Sequence, residues 1–354
     1  MLTVMTVAYP FASVSNDTVG GAEQIASALD AALTAAGHTS IVVACKESRT
    51  AGRLFPASIP NDVMSESGAR QCRMHFQEII NQALSTYKVD VIHMHGLDFH
   101  EYSIPETIPT IVTLHLPLSW YPDSIWSRNR GLTHFCCVSA SQRKSAPRNS
   151  GPITVIPNGV DLPHVELEDL RFEPDDVAVA MGRICPEKNL HEALRAATLA
   201  KTPLLLAGKV YPYFEHVDYF ERQIRPLLRS SNGPAHQFLG PLSAAGRFRL
   251  LSRSKCLLHP TLAPETSSLV AMESLAAGCP VIAYRSGALT EIVEHGITGF
   301  LVNNVDEMAS AICRIREISR MACRIRAEQH FGKHRMIQSY FALYRSAANH
   351  PGED

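Results

Sequence analysis

Residues 263–283 read APETSSLVAMESLAAGCPVIA and include two glutamates, Glu265 and Glu273. The apolar residues of this stretch that recur at helical spacing are Leu269, Met272, Leu275 and Ala276. A loop is therefore expected to pass into a helix between the two carboxylates. Because a helix N-terminus leaves backbone N–H groups unpaired and carries partial positive charge, the amides of 267–269 are predicted to receive a phosphate.

A second segment with phosphate-binding chemistry, residues 181–190, reads MGRICPEKNL and lies between a predicted strand and a predicted helix. Gly182 at the strand end lets a ligand approach the backbone, and Arg183 and Lys188 supply positive charge against a diphosphate. Taken alone, such a basic pair is more often part of a solvated loop. If the pair does bind a diphosphate, the combined role of the two cations would be to stabilise a leaving group.

Short apolar runs alternate with helical stretches in both halves of the chain, the pattern of parallel sheets covered by helices. Strands are predicted at 2–8, 39–44, 89–94, 110–114, 134–138, 154–156, 177–181, 203–207, 237–239, 256–259 and 280–283. The acidic, irregular stretch after Asp161 predicts an interdomain linker. We therefore expect two doubly wound domains, whose ligands bind at the carboxyl ends of the strands.

The composition predicts a soluble, cytoplasmic protein. Its 354 residues exceed what one hydrophobic core usually organises, and a hydrophobic fraction of 45% argues against disorder. The net charge of −1 argues against bulk attraction to nucleic acid. Nine cysteines without a C-x-x-C pair, and an N-terminus without an export signal, favour a reducing compartment. No apolar run approaches the roughly 18 residues that cross a bilayer.

The two segments resemble the donor-binding motifs of the family 4 retaining glycosyltransferases. That family reads Glu, seven residues, Glu and a Gly-x-Pro-Val turn, which 278–281 match, and Gly-Arg, four residues, Lys, which 182–188 match. Further matching motifs are IPNGVD at 156–161, GALTEIV at 287–293 and GITGFLV at 296–302. The family usually has Phe-Gly where this chain has Ser267-Ser268. The short chain and the ETSSLV pattern resemble the antibiotic-oligosaccharide-type branch.

The resemblance implies the GT-B fold, an α/β architecture of two facing Rossmann-like doubly wound domains with an interdomain cleft. Residues 1–165 are expected to form the acceptor-side domain and residues 166–331 the domain that binds the nucleotide sugar. Residues 332–354 are expected to form a helix that crosses back to the first domain. The apolar stripe of this helix is Met336, Tyr340, Phe341 and Tyr344, and packing on its own domain is the ordinary alternative.

The resemblance also assigns roles by position. Glu273 is expected to hold the ribose hydroxyls of the donor, and Glu265 to face the transferred sugar. The residues predicted to act on the reacting groups are His115, Arg183, Lys188 and Glu265; an ordinary loop histidine is the alternative for His115. The remaining predicted donor-binding residues are Gly20, Gly21, Gly182, Ser267, Ser268, Leu269 and Val270, the glycine pair belonging to a loop that closes over the donor.

An aromatic pair and the basic residues that follow it can each be interpreted in two ways. Trp120 and Tyr121 either stack on an acceptor sugar or cover the edge of the core. The basic residues that follow them either attract an anionic acceptor or membrane surface or simply solvate a face. They are Arg128, Arg130, Arg143, Lys144 and Arg148.

The sequence contains few candidate metal ligands in a recognisable pattern. His93, His95 and His115 suggest a zinc site, but their spacing fixes no further ligand. The chain has no Asp-x-Asp, the metal-diphosphate signature of a different glycosyltransferase architecture. Transfer is therefore predicted to need neither metal nor cofactor.

The predicted activity is that of a retaining hexosyltransferase, which moves a sugar from a nucleoside diphosphate sugar to a hydroxyl acceptor such as a glycan, a lipid-linked sugar or a small molecule. Domain closure would exclude water and align the reactants. The predicted partners are this donor and acceptor, with no nucleic acid and at most a weak peripheral membrane contact. The alternatives on the same fold are a sugar-nucleotide epimerase or phosphorylase, and a non-catalytic sugar-nucleotide-binding protein.

Overall fold

The computed structural model describes residues 1–58, 66–127, 131–166, 168, 170, 173–230 and 233–349. Contacts divide the chain into two compact units. One unit is Met1–Asn158 together with the chain from His334, and the other is Gly159–Lys333. Each unit is an α/β fold built on a parallel sheet.

The first unit contains a seven-stranded sheet, counted over the described residues. Its strands are β1 (Thr3–Val7), β2 (Thr39–Cys45), β3 (Arg53–Ala57), β4 (Val91–Met94), β5 (Thr110–Leu114), β6 (Thr133–Cys137) and β7 (Ile153–Val155), in the order β3-β2-β1-β4-β5-β6-β7. The helices up to β7 are α1 (Gly21–Ala35), α2 (Glu66–Thr86), α3 (Ser124–Ser127) and α4 (Ala140–Lys144). The strands predicted in this half are confirmed, whereas β3 and α2 were not predicted.

The second unit contains a six-stranded sheet among the residues that the structure describes. Its strands are β8 (Asp175–Met181), β9 (Leu204–Ala207), β10 (Gln237–Gly240), β11 (Ser254–His259), β12 (Val281–Tyr284) and β13 (Gly299–Val302), in the order β10-β9-β8-β11-β12-β13. Its helices are α5 (Leu190–Leu199), α6 (Phe214–Tyr219), α7 (Arg225–Leu228), α8 (Ala244–Arg253), α9 (Leu269–Ala276), α10 (Leu289–Ile292), α11 (Val305–Arg314) and α12 (Arg320–His330). A π-helical turn, Phe220–Ile224, joins α6 to α7.

Both sheets are covered on two faces, which explains why their strands read as continuous apolar runs. In the first unit, Met5, Ile41 and Ile92 from neighbouring strands are fully buried with Phe76 of α2. The core of the second unit has the same character, with Val179, Leu206, Leu257 and Ile282 all fully buried. Burial of large aliphatic and aromatic side chains of this kind contributes roughly 1.5–3 kcal/mol each.

The strand order of each sheet reverses at one place, and this fixes where ligands bind. In the first unit the reversal lies between β1 and β4, and in the second between β8 and β11. Crossover helices leave on opposite faces at such a point, so a crevice opens beyond the carboxyl ends of the two strands. The segments that follow β8 and β11 are 182–189 and 260–268; the first carries Arg183 and Lys188, and the second carries Glu265.

The last helix, α13 (Lys333–Asn349), packs on the first unit. Its Tyr344 hydroxyl lies 2.7 Å from Nδ1 of His93 on β4, and its Tyr340 hydroxyl lies 2.9 Å from Oγ1 of Thr113 on β5. Met336, Tyr340 and Tyr344 are buried. Residues 350–354 of the expected helix lie outside the described residues.

Gly159 and Val160 of the IPNGVD segment run beside Phe331 and Lys333, at the start of α13, within the second unit. Val160 donates its N–H to the Phe331 carbonyl at 2.8 Å, and Lys333 donates to the Val160 carbonyl at 2.9 Å. A Cβ at Gly159 would lie 2.7 Å from the Cα of Lys333, so only glycine permits this approach. Because these hydrogen bonds hold 159 and 160 to the second unit, that unit begins before the expected boundary at 165.

Candidate functional site

The site of the second unit begins with three glycines at neighbouring strand ends. Gly182 and Gly208 directly follow β8 and β9, Gly240 ends β10, and the Gly208 N–H donates to the Gly240 carbonyl at 2.9 Å. A Cβ at Gly208 would overlap the Gly182 carbonyl oxygen. Because these residues have no Cβ, other groups can approach the backbone closely where the chain turns toward Arg183.

Lys188 and Glu265 meet at the reversal of strand order. The Lys188 Nζ donates to Oε1 of Glu265, and Nε2 of His259 lies 3.4 Å from the same oxygen. The side chains of Lys188, Glu265 and His259 are 21%, 9% and 3% exposed. Burial raises the pKa of Glu265, but the Lys188 charge and the His259 hydrogen bond outweigh it, so the pKa lies well below its ordinary value. Glu265 is therefore a fixed anion that orients one cation.

The turn before α5 places Lys188 in this position. Residues Pro186–Lys188 form a 3-10 turn, after which Asn189 adopts a left-handed conformation with φ of +54°. Asparagine tolerates this conformation better than most residues. Leu262 donates its N–H to the Glu187 carbonyl at 2.9 Å, which ties the turn to the loop that carries Glu265.

The Glu265 backbone is held by a second close approach. Ala288 donates its N–H to the Glu265 carbonyl at 2.7 Å. The neighbouring Gly287 has φ of +49°, and a Cβ there would overlap that same carbonyl oxygen. The glycine of the GALTEIV motif therefore serves to fix the loop that presents Glu265.

We expect Gly287→Ala to destabilise the protein by about 2–4 kcal/mol, because the overlap adds to a left-handed backbone. Gly240→Ala is the matched control, since Gly240 also has positive φ, +70°, but no atom of a described residue that is not its chain neighbour lies within 4 Å of its added Cβ. Its expected cost is about 1 kcal/mol. Urea unfolding of the two variants measures the difference; equal losses would mean that contact with Glu265 is not what requires glycine at 287.

The N-terminus of α9 presents the amides predicted to bind phosphate. Ser268 caps this helix, and its Oγ accepts the Ala271 N–H at 3.3 Å. The same Oγ lies 3.3 Å from Nε2 of His259. Leu269 and Val270 are the first two helical residues, whose N–H groups have no partner within the helix. The Ser267 Oγ is buried and makes no hydrogen bond to any described residue. Of the two serine hydroxyls, that of Ser268 is engaged within the described part of the chain and that of Ser267 is not.

Glu273, on α9, is held by an arginine that sequence reasoning missed. Arg247 on α8 donates from Nη2 to Oε1 of Glu273 at 2.9 Å and from Nε to Oε2 at 3.1 Å. The two side chains are largely buried. This bidentate geometry fixes the plane of the carboxylate and leaves one lone pair on each oxygen for a further donor.

Arg183, the other predicted cation, extends toward solvent. Its side chain is exposed, and no ion pair joins it to a carboxylate within the described ranges. Lys188 is thus built into the cluster, while Arg183 keeps its freedom to reach a ligand.

In the first unit, the predicted glycine pair opens α1. Gly20 is the N-cap and Gly21 the first helical residue. A Cβ at Gly20 would overlap the buried carboxylate of Glu23. The glycine at this position therefore has a packing reason, and a role in covering a donor stays a prediction.

His115 follows β5 and lies next to His95, which follows β4. Nδ1 of His95 is 2.9 Å from Nε2 of His115, and the two rings are stacked. Burial lowers the pKa of His115 to about 4, so the ring is neutral at pH 7 and donates from one nitrogen only. Nε2 of His95 is buried and makes no hydrogen bond to the described part of the chain.

The contacts of His93 argue against a zinc site formed by His93, His95 and His115. Its Nδ1 lies 2.7 Å from the Tyr344 hydroxyl and its Nε2 2.7 Å from Thr113 Oγ1. Both ring nitrogens are therefore engaged, and neither is free to bind a metal.

Trp120 and Tyr121 separate in the structure. Trp120 is 48% exposed, whereas Tyr121 is 4% exposed and packs in the core with Phe99 and Trp126. Stacking on an acceptor is thus left to Trp120 and stays a prediction. Of the neighbouring basic residues, Arg143 and Lys144 lie in the last turn of α4, while Arg128 and Arg130 lie outside the described residues.

Among the described residues, no helix combines the length and the apolar character that crossing a bilayer requires.

Comparison with known families agrees with the motifs. Residues 19–163 match the model described as Glycosyltransferase Family 4, and residues 175–317 match the model described as Glycosyl transferases group 1. The chain belongs to glycosyltransferase family 4. The predicted family and the GT-B fold, with its two Rossmann-like domains, are confirmed.

Several relatives of this family 4 chain are known. A D-inositol 3-phosphate glycosyltransferase of Nocardioides sp. is 31% identical over 188 residues, covering 47% of this chain. The chain spans only 41% of that relative's length. Two crystal structures share the fold. AviGT4, a glycosyltransferase involved in avilamycin A biosynthesis, aligns with a TM-score of 0.70 and 21% identity over 99% of this chain and 98% of its own. Anabaena HepE in complex with UDP and glucose aligns with a TM-score of 0.74 and 19% identity over 98% of this chain and 100% of its own.

Sequence reasoning about this family 4 chain missed His259, Arg247 and Gly208. His259 and Gly208 stand at or just after the carboxyl ends of strands, so the rule that ligands bind there was a usable signal. Arg247 had no such signal, because it reaches Glu273 only through the packing of α8 against α9.

Proposed function

We propose that this protein is a retaining glycosyltransferase that moves a sugar from a nucleoside diphosphate sugar to a hydroxyl acceptor. The observation that carries the proposal is the contact of Lys188 with Glu265 beside the open N-terminus of α9. A diphosphate needs positive charge and N–H donors, and both are supplied at the reversal of strand order.

The donor is proposed to lie with its diphosphate against Lys188, Arg183 and the α9 amides. As the bond to the sugar breaks, negative charge grows on the diphosphate, and these fixed groups strengthen their contacts with it. The unpartnered Ser267 hydroxyl can donate to a phosphate oxygen, in place of the close backbone approach that glycine would allow. Glu273, held flat by Arg247, is proposed to accept hydrogen bonds from the ribose hydroxyls.

Glu265 is proposed to bind the transferred sugar and not to form a covalent intermediate. Its Oε1 is already engaged by Lys188 and lies near His259, and a carboxylate of strongly lowered pKa is a poor base and nucleophile. Retention then follows from attack of the acceptor on the face that the departing diphosphate leaves. Arg183 and Lys188 take the place of a divalent cation in this scheme, so transfer is proposed to be independent of metal.

The relatives suggest where to begin with substrates. HepE was crystallised with UDP and glucose, which supports UDP-hexoses as the first donors to try. The likeness to AviGT4 supports an antibiotic-oligosaccharide acceptor among those tested, beside glycans and lipid-linked sugars.

The proposal is tested in two steps. Thermal unfolding with UDP, GDP and ADP sugars should show one base that raises the unfolding temperature by several degrees. With that donor and a panel of hydroxyl acceptors, NMR of the product should show the anomeric configuration of the donor retained. Conversion of the donor without acceptor would indicate an epimerase instead. Binding without turnover on any acceptor, phospholipid and polyprenyl acceptors included, would indicate a non-catalytic binding protein.

A further inference from the structure

A cluster of Cys185, Glu187 and His216 lies in the second unit and has no part in the proposed transfer. One ligand atom from each, a thiol sulfur, a carboxylate oxygen and a ring nitrogen, lies within 4.8 Å of the other two. Cys185 and Glu187 belong to the turn between Arg183 and Lys188, and His216 belongs to α6. Three different metal-binding side chains therefore converge from two elements that are distant in sequence.

The environment of these groups favours a metal ion over a chance encounter. Cys185 is 1% exposed, and the Nδ1 of His216 is buried without a hydrogen-bond partner among the described residues. A buried, unpartnered ring nitrogen costs free energy unless something binds it. The His216 ring also packs edge-on against Tyr213 and Tyr211.

We propose that Cys185, Glu187 and His216 form a zinc site that fastens the turn before α5 to α6. Sulfur, nitrogen and carboxylate oxygen are the ligands that Zn²⁺ accepts, and three of them leave one position of a tetrahedron for water. Ligand atoms around tetrahedral zinc are about 3.5 Å apart, so the donors need to approach by about 1 Å. Glu187 is exposed and His216 partly exposed, so both can make this movement.

Charge balance supports the ion despite the nearby guanidinium of Arg183, which disfavours a further cation. The thiol binds Zn²⁺ as thiolate, releasing its proton to the solvent, and the Glu187 carboxylate supplies the second negative charge. The bound ion and its ligands are then neutral overall, and Arg183 faces no added net charge.

Zinc at this place is structural and independent of sugar transfer. The ion would hold the segment between the two predicted cations against α6, whose far end is already tied to α5 by the Tyr219 hydroxyl, which accepts the His191 N–H at 3.1 Å. Its binding can be measured on the free protein without donor, acceptor or turnover. Failure of the glycosyltransferase proposal would therefore leave this one standing, and the reverse also holds.

The test titrates the metal-free full chain with Zn²⁺ in competition with a chromophoric chelator, and with Co²⁺ to detect thiolate-to-cobalt charge transfer. The original protein should bind a single ion tightly, show the charge-transfer band and unfold at a higher temperature with zinc. Cys185→Ser and His216→Ala should each weaken binding by about 100-fold or more, and Cys185→Ser should remove the band.

Two further variants keep the test decisive. Cys313→Ser removes the one exposed cysteine among the nine and should bind zinc like the original protein, which excludes capture by a surface thiol. Glu187→Gln changes an exposed side chain, so it should fold normally and still bind zinc at least about 10-fold more weakly. Unchanged affinity in Glu187→Gln and His216→Ala, or loss of binding in Cys313→Ser alone, would overturn the proposal.

Discussion

Alanine at position 188 is expected to lower turnover by about three orders of magnitude, or roughly 4 kcal/mol of barrier. The reason is that the Lys188 ammonium is one of the two cations proposed to meet the charge that develops on the leaving diphosphate. Nucleotide affinity should fall much less, because the α9 amides and Glu273 remain. Nucleoside diphosphate release in the presence of acceptor measures turnover, and calorimetry measures affinity.

The same substitution should also destabilise the protein by about 3 kcal/mol. It leaves Glu265 as a buried carboxylate without its counter-ion, and breaking a buried pair from one side costs more than the pair contributes. Glu265→Gln in addition should recover most of this stability, because a neutral amide needs no cation. Urea unfolding of the two single variants and the double variant separates the stability effect from the catalytic one.

The controls distinguish a role in catalysis from a role in folding. Lys209→Ala removes a positive charge just after β9, at the same edge of the sheet, where the ammonium lies over the Tyr211 ring and not on Glu265. It should change turnover by less than about 3-fold. If the double variant turned over as fast as Glu265→Gln alone, Lys188 would act only through Glu265 and its proposed contact with the diphosphate would be wrong.

The sequence predicted Lys188 and Glu265 as site residues but did not predict the contact between them. Each residue was found from its motif, but the two were assigned to different parts of the ligand, diphosphate and sugar. They are 77 positions apart, and their contact follows from strand order, since β8 and β11 pair directly. Strand order is a tertiary property that spacing along the chain does not determine, although a doubly wound fold restricts it.

The unpredicted β3 and α2 have physical reasons of their own. β3 reads RLFPA, and a proline within a short run is a signal against a strand, since it removes a ladder hydrogen bond. The proline is tolerated because β3 lies at the edge of the sheet, with β2 as its partner. α2 is mostly polar, and its buried residues Cys72, Phe76, Ile80 and Ala83 form only a narrow stripe at helical spacing, which is a weak signal for a helix.

Alanine at position 273 should weaken the binding of a nucleoside diphosphate by about 100-fold, or roughly 3 kcal/mol, because two hydrogen bonds to a carboxylate are lost. The decisive comparison uses the 2′,3′-dideoxy form of the same nucleotide, which has no ribose hydroxyls to donate. The original protein should bind this analogue about 100-fold more weakly than the parent nucleotide, and Glu273→Ala should bind both about equally.

Substitution of Arg247 tests whether the orientation of the Glu273 carboxylate affects nucleotide affinity. Arg247→Ala should cost about 10-fold in affinity for the parent nucleotide and much less for the dideoxy analogue, since the carboxylate remains but its plane is no longer fixed. Arg247→Lys should recover little, because an ammonium cannot hold both oxygens in one plane. Glu294→Ala, which removes a half-exposed carboxylate of the same unit at 3.9 Å from Arg326, should leave both affinities unchanged. If Glu273→Ala weakened the two nucleotides equally, the carboxylate would act on some part of the ligand other than the ribose hydroxyls, and the arginine would then serve only the packing of α8 on α9.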